Sequence, residues 1–93
     1  MFVQLSIHHP KPDATGPLIE SMHAYGDALE GAPGLISVHT LQDADAGVLV
    51  GLALWGSRDA MEASVNRARA AVENHPFDEW EIRDPDGYRL TEV

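Results

Sequence analysis

Chemistry in this 93-residue chain would rest on five histidines, two tyrosines, two tryptophans and scattered amides, because cysteine is absent. Histidine changes charge close to neutral pH, so His8, His23 and His39 are the proton-transfer candidates, provided a fold holds one of them beside a substrate. Tyr25 adds a hydroxyl, Trp55 and Trp80 add indole N–H donors, and Asn66 adds an amide. Spacing removes other chemistries. His8 and His9 are adjacent, their side chains diverge on a strand, and no His-x-x-x-His pair follows, so no metal site is expected. Gly47, Gly51 and Gly56 do not form a phosphate loop, and neither a Ser-His-Asp set nor a lysine nucleophile stands out. Without cysteine there are no disulfides, thiolate nucleophiles or cysteine-ligated clusters.

Composition narrows the partners. Fifteen acids face six basic residues, a net charge of -9, which repels phosphate backbones and anionic lipid; neither nucleic acid nor membrane is an expected partner. The acids concentrate between Glu73 and Val93 and read as a solvated surface. No apolar run approaches the roughly 20 residues that span a bilayer, and Met1-Phe2-Val3-Gln4 lacks the regions of a signal peptide, so a cytoplasmic location is expected. The length suits a single domain over residues 1–93.

The elements that must position the candidates follow from periodicity. Phe2 to His8 alternates, with Val3, Leu5 and Ile7 on one side and Gln4, Ser6 and His8 on the other, and so predicts a strand. The polar set is expected to face solvent or a partner subunit. Leu18, Met22, Tyr25 and Leu29 form one helical stripe, with Asp13 or Thr15 as cap, Pro17 in the first turn and Gly31-Ala32-Pro33-Gly34 as terminator. Leu35 to Leu41 predicts a second strand and the apolar Val48 to Trp55 a third, joined as a hairpin through Asp43 to Gly47. Ser57 caps a second helix with the stripe Met61, Val65, Ala68, Val72, closed by Asn74-His75-Pro76. Phe77 to Arg83 is ambiguous, because Trp80 and Ile82 alternate with acids but the segment is short. Asp84-Pro85-Asp86-Gly87 reads as a turn, and Tyr88 to Val93 as the last strand.

The order β-α-β-β-α-β is the ferredoxin-like α+β arrangement, an antiparallel four-stranded sheet with both helices on one face. Nothing is left in the chain to cover the other face, so it is either polar or packed on a partner. A chain of this size buries only about 60–65% of its unfolded surface, and a second subunit would add core.

Three stretches resemble the antibiotic biosynthesis monooxygenase-like proteins of the dimeric α+β barrel superfamily: Ala32-Pro33-Gly34-Leu35, the run Leu52 to Met61 (Leu-Ala-Leu-Trp-Gly-Ser-Arg-Asp-Ala-Met), and Tyr88-Arg89-Leu90-Thr91-Glu92-Val93. The resemblance implies a homodimer whose two sheets face each other across a barrel, each subunit keeping a small cavity between its sheet and its helices. It also implies a monooxygenase that oxidises a small phenolic metabolite with molecular oxygen and no cofactor. Trp55 and Asn66 would be the polar groups of the pocket, and His39 or Tyr25 would transfer the proton. The alternative is a non-catalytic module that binds a small molecule, or serves in stress response, through the same cavity. Haem-degrading relatives carry an Asn on the first strand and a Trp and a His on the second helix. Here the first strand has no Asn, and Ala63-Ser64-Val65 holds no aromatic residue, leaving only His75, so haem chemistry is not expected.

Overall fold

The computed structural model describes residues 1–93. Along the chain run β1 (Phe2–His8), α1 (Thr15–Leu29), β2 (Leu35–Asp43), β3 (Val48–Trp55), α2 (Arg58–Val72), the single turn α3 (Phe77–Trp80) and β4 (Asp86–Thr91). The strands form one antiparallel sheet in the order β2-β3-β1-β4, and α1 and α2 pack together on one face of it, giving the ferredoxin-like topology. No helix is long and apolar enough to cross a membrane.

Local chemistry explains the boundaries. Pro10 ends β1 because proline donates nothing to a ladder. The Ser57 side chain accepts the Ala60 N–H at 3.1 Å and starts α2 with Asp59 in its first turn, as the sequence suggests. Neither Asp13 nor Thr15 caps α1. Ala14 holds the N-cap position with no side-chain bond, and a turn places it there through its own N–H, which donates to the Lys11 carbonyl at 2.9 Å. The turn into β2 requires Gly34. Its φ is +84°, and a Cβ there would lie 2.6 Å from the Ala60 side chain, so the backbone presses directly on α2. That approach lets the Gly34 carbonyl accept the Gly56 N–H at 2.8 Å. A bulge between Leu35 and Ser37 pushes Ile36 outward, 60% exposed.

The two helical stripes fill the space above the sheet. Met61, Val65, Ala68 and Val72 are all buried, as their spacing requires. One cluster gathers Phe2, Leu29, Ala53, Met61 and Val65 around Trp55, which has no exposed surface. A second joins Leu18, Met22 and Leu49 at the other end of β3 and is flanked by Phe77 and Trp80. The clusters stay separate because the residues between them are small: Ser6 on β1 and Gly51 on β3 sit opposite each other.

Register overturns the expected orientation of β1. Directly paired residues share a face, and Phe2, Gln4, Ser6 and His8 pair with Trp55, Ala53, Gly51 and Leu49. Trp55, Ala53 and Leu49 are buried beneath the helices, so the polar set of β1 points into the molecule and Val3, Leu5 and Ile7 point away from it. The outward face is continuous and apolar: Val50, Leu52 and Leu54 of β3 lie beside that row, with Leu41 (48% exposed), Tyr88 (50%) and Leu90 (45%) on the edge strands. β3 is thus central in the sheet but covered by this chain on one face only.

The acidic C-terminal segment is also not wholly solvated. After α3, Ile82 N–H donates to the His9 carbonyl and Lys11 N–H to the Trp80 carbonyl, both at 2.8 Å. This bridge tucks Glu81 inward to 7% exposure. The ambiguous Phe77–Arg83 segment is therefore a helical turn followed by a short backbone pairing with the end of β1. Asp86 and Gly87 begin β4 rather than completing a turn.

Leu18→Ala is expected to lower unfolding free energy by about 2–5 kcal/mol in urea titrations, since the side chain has no exposed surface. Ile82→Ala, at a position 68% exposed, should stay within about 0.5 kcal/mol of the parent.

Candidate functional site

Between the sheet and the helices lies a cavity of about 580 Å³. The inward row of β1 supplies its floor with Gln4, Ser6 and His8, α1 supplies Ser21, Met22 and Tyr25, and Glu81 and Phe77 close one side. Its apolar wall and few converging polar groups are what a small-molecule site requires. Arg69 and Arg89 are the cations on its lining, in a chain with only six basic residues.

Two hydrogen-bonded chains run through this space. In the first, Trp55 Nε1–H donates to Gln4 Oε1 at 3.3 Å, and Gln4 Nε2–H donates to the Tyr25 hydroxyl oxygen at 2.9 Å. The direction is forced. An indole N–H can only donate, so Gln4 must turn its oxygen to Trp55 and its NH₂ to Tyr25, whose oxygen then accepts. The Tyr25 proton has no protein acceptor and is free to donate into the cavity.

In the second chain, Glu81 accepts the His9 backbone N–H at 3.1 Å and lies 3.3 Å from His8 Nδ1, while His8 Nε2 lies 3.0 Å from Ser6 Oγ. With Glu81 accepting at Nδ1, the neutral imidazole is the Nδ1–H tautomer, in which Nε2 can accept from the Ser6 hydroxyl. A third contact ties Ser21 Oγ to His75 Nδ1 at 2.7 Å, and the His75 ring packs against Phe77 and Trp80 with centroids 6.1 and 5.9 Å away. Every buried side-chain nitrogen and oxygen has a partner. Outside the cavity, Asp86 is bonded by Arg83 (3.2 Å) and His9 (3.0 Å), and the guanidinium first, then the imidazole, hold its carboxyl below the usual aspartate range.

Of the residues the sequence singles out, Trp55 and Tyr25 are brought together through Gln4, with Trp55 behind the cavity wall and Tyr25 on it. Asn66 lies on the exposed side of α2 and lines no part of this cavity. His39 borders the cavity from β2, but it pairs with Leu52, so its exposed side chain stands on the uncovered face of the sheet. His23 is exposed on α1, one turn from Glu20, and no group of three His, Asp or Glu side chains converges as a metal would need. His8 is a proton-transfer candidate whose polar set was expected to face solvent or a partner, whereas Gln4, Ser6, Ser21 and Glu81 were not among the expected site residues. The alternation of β1 marks three of them as a set, but alternation alone does not say which face the helices cover. Glu81 lay in a segment with no clear period.

No protein-family model matches this chain, and no curated protein matches it in sequence. Solved structures do. Rv0793 of Mycobacterium tuberculosis superposes with a TM-score of 0.78 at 22% identity, over 99% of this chain and 94% of its own. A Nitrosomonas europaea protein provisionally assigned as an antibiotic biosynthesis monooxygenase gives 0.77 at 19% identity, over 100% and 99%. The haem degrader MhuD of Mycobacterium tuberculosis, which holds two haems in its active site, gives 0.75 at 19% identity, over 100% and 96%. The inward faces of β1 and α2 here present Gln4, Ser6, His8, Ser64, Val65 and Ala68, with neither an Asn nor a Trp, so these residues do not fit the haem-degrading set.

Gln4→Leu should cost about 1–3 kcal/mol of stability, read by thermal or urea unfolding, because it leaves the buried Trp55 N–H without an acceptor. Gln4→Glu keeps that acceptor and should cost less, which separates the hydrogen bond from the packing. Across these comparisons the chain has the fold of the antibiotic biosynthesis monooxygenase-like proteins.

Proposed function

We propose that the protein is a cofactor-independent monooxygenase that oxidises a small phenolic metabolite in the sheet–helix cavity. The observation that carries this reading is the Tyr25 hydroxyl on the cavity lining, which accepts from Gln4 and has no protein acceptor for its own proton. Such chemistry begins with loss of a proton from the phenol or its benzylic carbon, and the charge left on oxygen needs a donor fixed in advance. Tyr25 is that donor. His8, held in its Nδ1–H tautomer by Glu81, is the proton acceptor on the same cavity. The substrate anion then supplies both electron pairs to molecular oxygen. A carbon–oxygen bond forms, and departure of water from the resulting hydroperoxide leaves a quinone-type ketone. Asn66 has no part in this scheme because it lines no part of the cavity, and His39, which borders the cavity from β2, has none because its side chain stands on the uncovered face of the sheet.

The uncovered sheet face supports a homodimer as the working form. Apolar residues from all four strands, among them Leu41, Leu52, Tyr88 and Leu90, make one surface far more extended than scattered exposed side chains, and a second copy offers the same surface. Burying it also seals the floor of each cavity from behind.

With an anthrone-type phenol, oxygen consumption should rise above the buffer rate, and Tyr25→Phe should lower kcat about 10²- to 10³-fold with little change in KM. No uptake, despite measurable binding of the same phenol, would leave the cavity a binding site and defeat the oxygenase reading. Light scattering should give twice the 10.1 kDa chain mass, and Leu52→Asp should return it to the single-chain value.

A further inference from the structure

We infer that Ser6, His8 and Glu81 form a hydrolytic relay in which Ser6 is an acyl-accepting nucleophile for small esters. Three observations converge. The first is the order of hydrogen bonds: Ser6 Oγ to His8 Nε2 at 3.0 Å, then His8 Nδ1 to the Glu81 carboxylate at 3.3 Å. A hydroxyl, an imidazole that takes its proton and an acid that fixes the tautomer are the groups a serine nucleophile needs, whatever fold carries them. The second is burial. The Glu81 side chain is 4% exposed and the His8 side chain 15%, so the acid works on the imidazole out of water, and the His9 backbone N–H anchors the carboxylate from behind.

The third is the clearance around the hydroxyl. Ser6 is flanked on its own face of the sheet by Gly51 on β3 and Gly87 on β4. A Cβ at Gly51 would stand 2.7 Å from Ser6 Oγ, inside contact distance, and one at Gly87 would project into open space. Both neighbouring strands therefore lack a side chain beside the nucleophile, and Ser6 lines the cavity. The free Tyr25 hydroxyl and the Arg89 guanidinium line the same cavity and can donate to a developing oxyanion.

The reaction balances without a cofactor. Ser6 Oγ attacks the ester carbonyl carbon as its proton passes to His8 Nε2. The carbon–oxygen bond to the alcohol breaks, and the alcohol leaves with that proton. Water, deprotonated by His8, then releases the acid from Ser6 and restores the hydroxyl. A cavity of about 580 Å³ shared with the leaving group suits an ester with a short acyl chain. This activity needs neither oxygen nor a phenol, so it stands or falls separately from the oxygenase reading.

The test is covalent. Incubation of the intact protein with a small alkyl fluorophosphonate should add one phosphonyl group with loss of fluoride, mapped by peptide mass spectrometry to Ser6. p-Nitrophenyl acetate should give a burst of one nitrophenol per chain. Ser6→Ala should abolish both. His8→Gln should slow labelling about 100-fold or more, and Glu81→Gln about 10-fold or more, with circular dichroism of each variant confirming the fold. An unlabelled wild-type protein, an adduct on Tyr25 or another residue, or a Ser6 labelling rate unchanged in folded His8→Gln would overturn the proposal.

Discussion

Gln4, Ser6 and His8 lie between a sheet and two helices, where solvent cannot satisfy all of their polar atoms, so each has to be matched by a group of the protein. Gln4 takes Trp55 and Tyr25, Ser6 takes His8, and His8 takes Glu81. Those requirements reach across the whole chain, from the first strand to the first helix, the third strand and the bridge after the last helical turn. They explain why the aromatic anchor of the larger cluster is a tryptophan and not a phenylalanine: an indole offers Gln4 a donor as well as a packed ring. They also explain why an acid is drawn inward from an otherwise solvated C-terminal segment.

The same inward polar row sets the shape of the site. A row of Val or Leu under the helices would fuse the Trp55 cluster with the Leu18–Leu49 cluster into one core. Ser6 and Gly51 instead leave volume between them, and the cavity is that volume, walled by Met22, Tyr25 and Phe77. Stability lost by leaving this space unfilled has its counterpart on the opposite face, where Val3, Leu5, Ile7 and their neighbours on the other strands offer apolar area to a partner. Cavity inside and apolar surface outside are two consequences of one choice of face for β1.

Much of the architecture was legible from periodicity. The helical stripes, the Ser57 cap and the hairpin stand where spacing and turn chemistry put them, because i, i+3 and i, i+4 rows and alternation are geometric properties of the local chain, while the last strand starts two residues earlier, at Asp86. Tyr25 and Trp55 were legible as site candidates by residue type. Asn66 and His39 were candidates by the same logic, yet one stands on the outer side of α2 and the other on the uncovered side of β2. Side-chain chemistry says what a group can do, and only its face decides what it can reach.

The amino-acid order by itself thus determined the elements, their sequence along the chain and the pairing of residues into faces. Which face met the helices was settled only in three dimensions. Alternation is symmetric between the two sides of a strand, and the usual preference for apolar residues inward is a competition that β1 could lose. In the folded sheet Leu49, Ala53 and Trp55 face the helices from β3, and the uncovered side sets Val3, Leu5 and Ile7 beside Val50, Leu52 and Leu54. The meeting of Ser6 and His8 with Glu81, more than seventy residues away, depended on that outcome and on a backbone bridge no local period could announce.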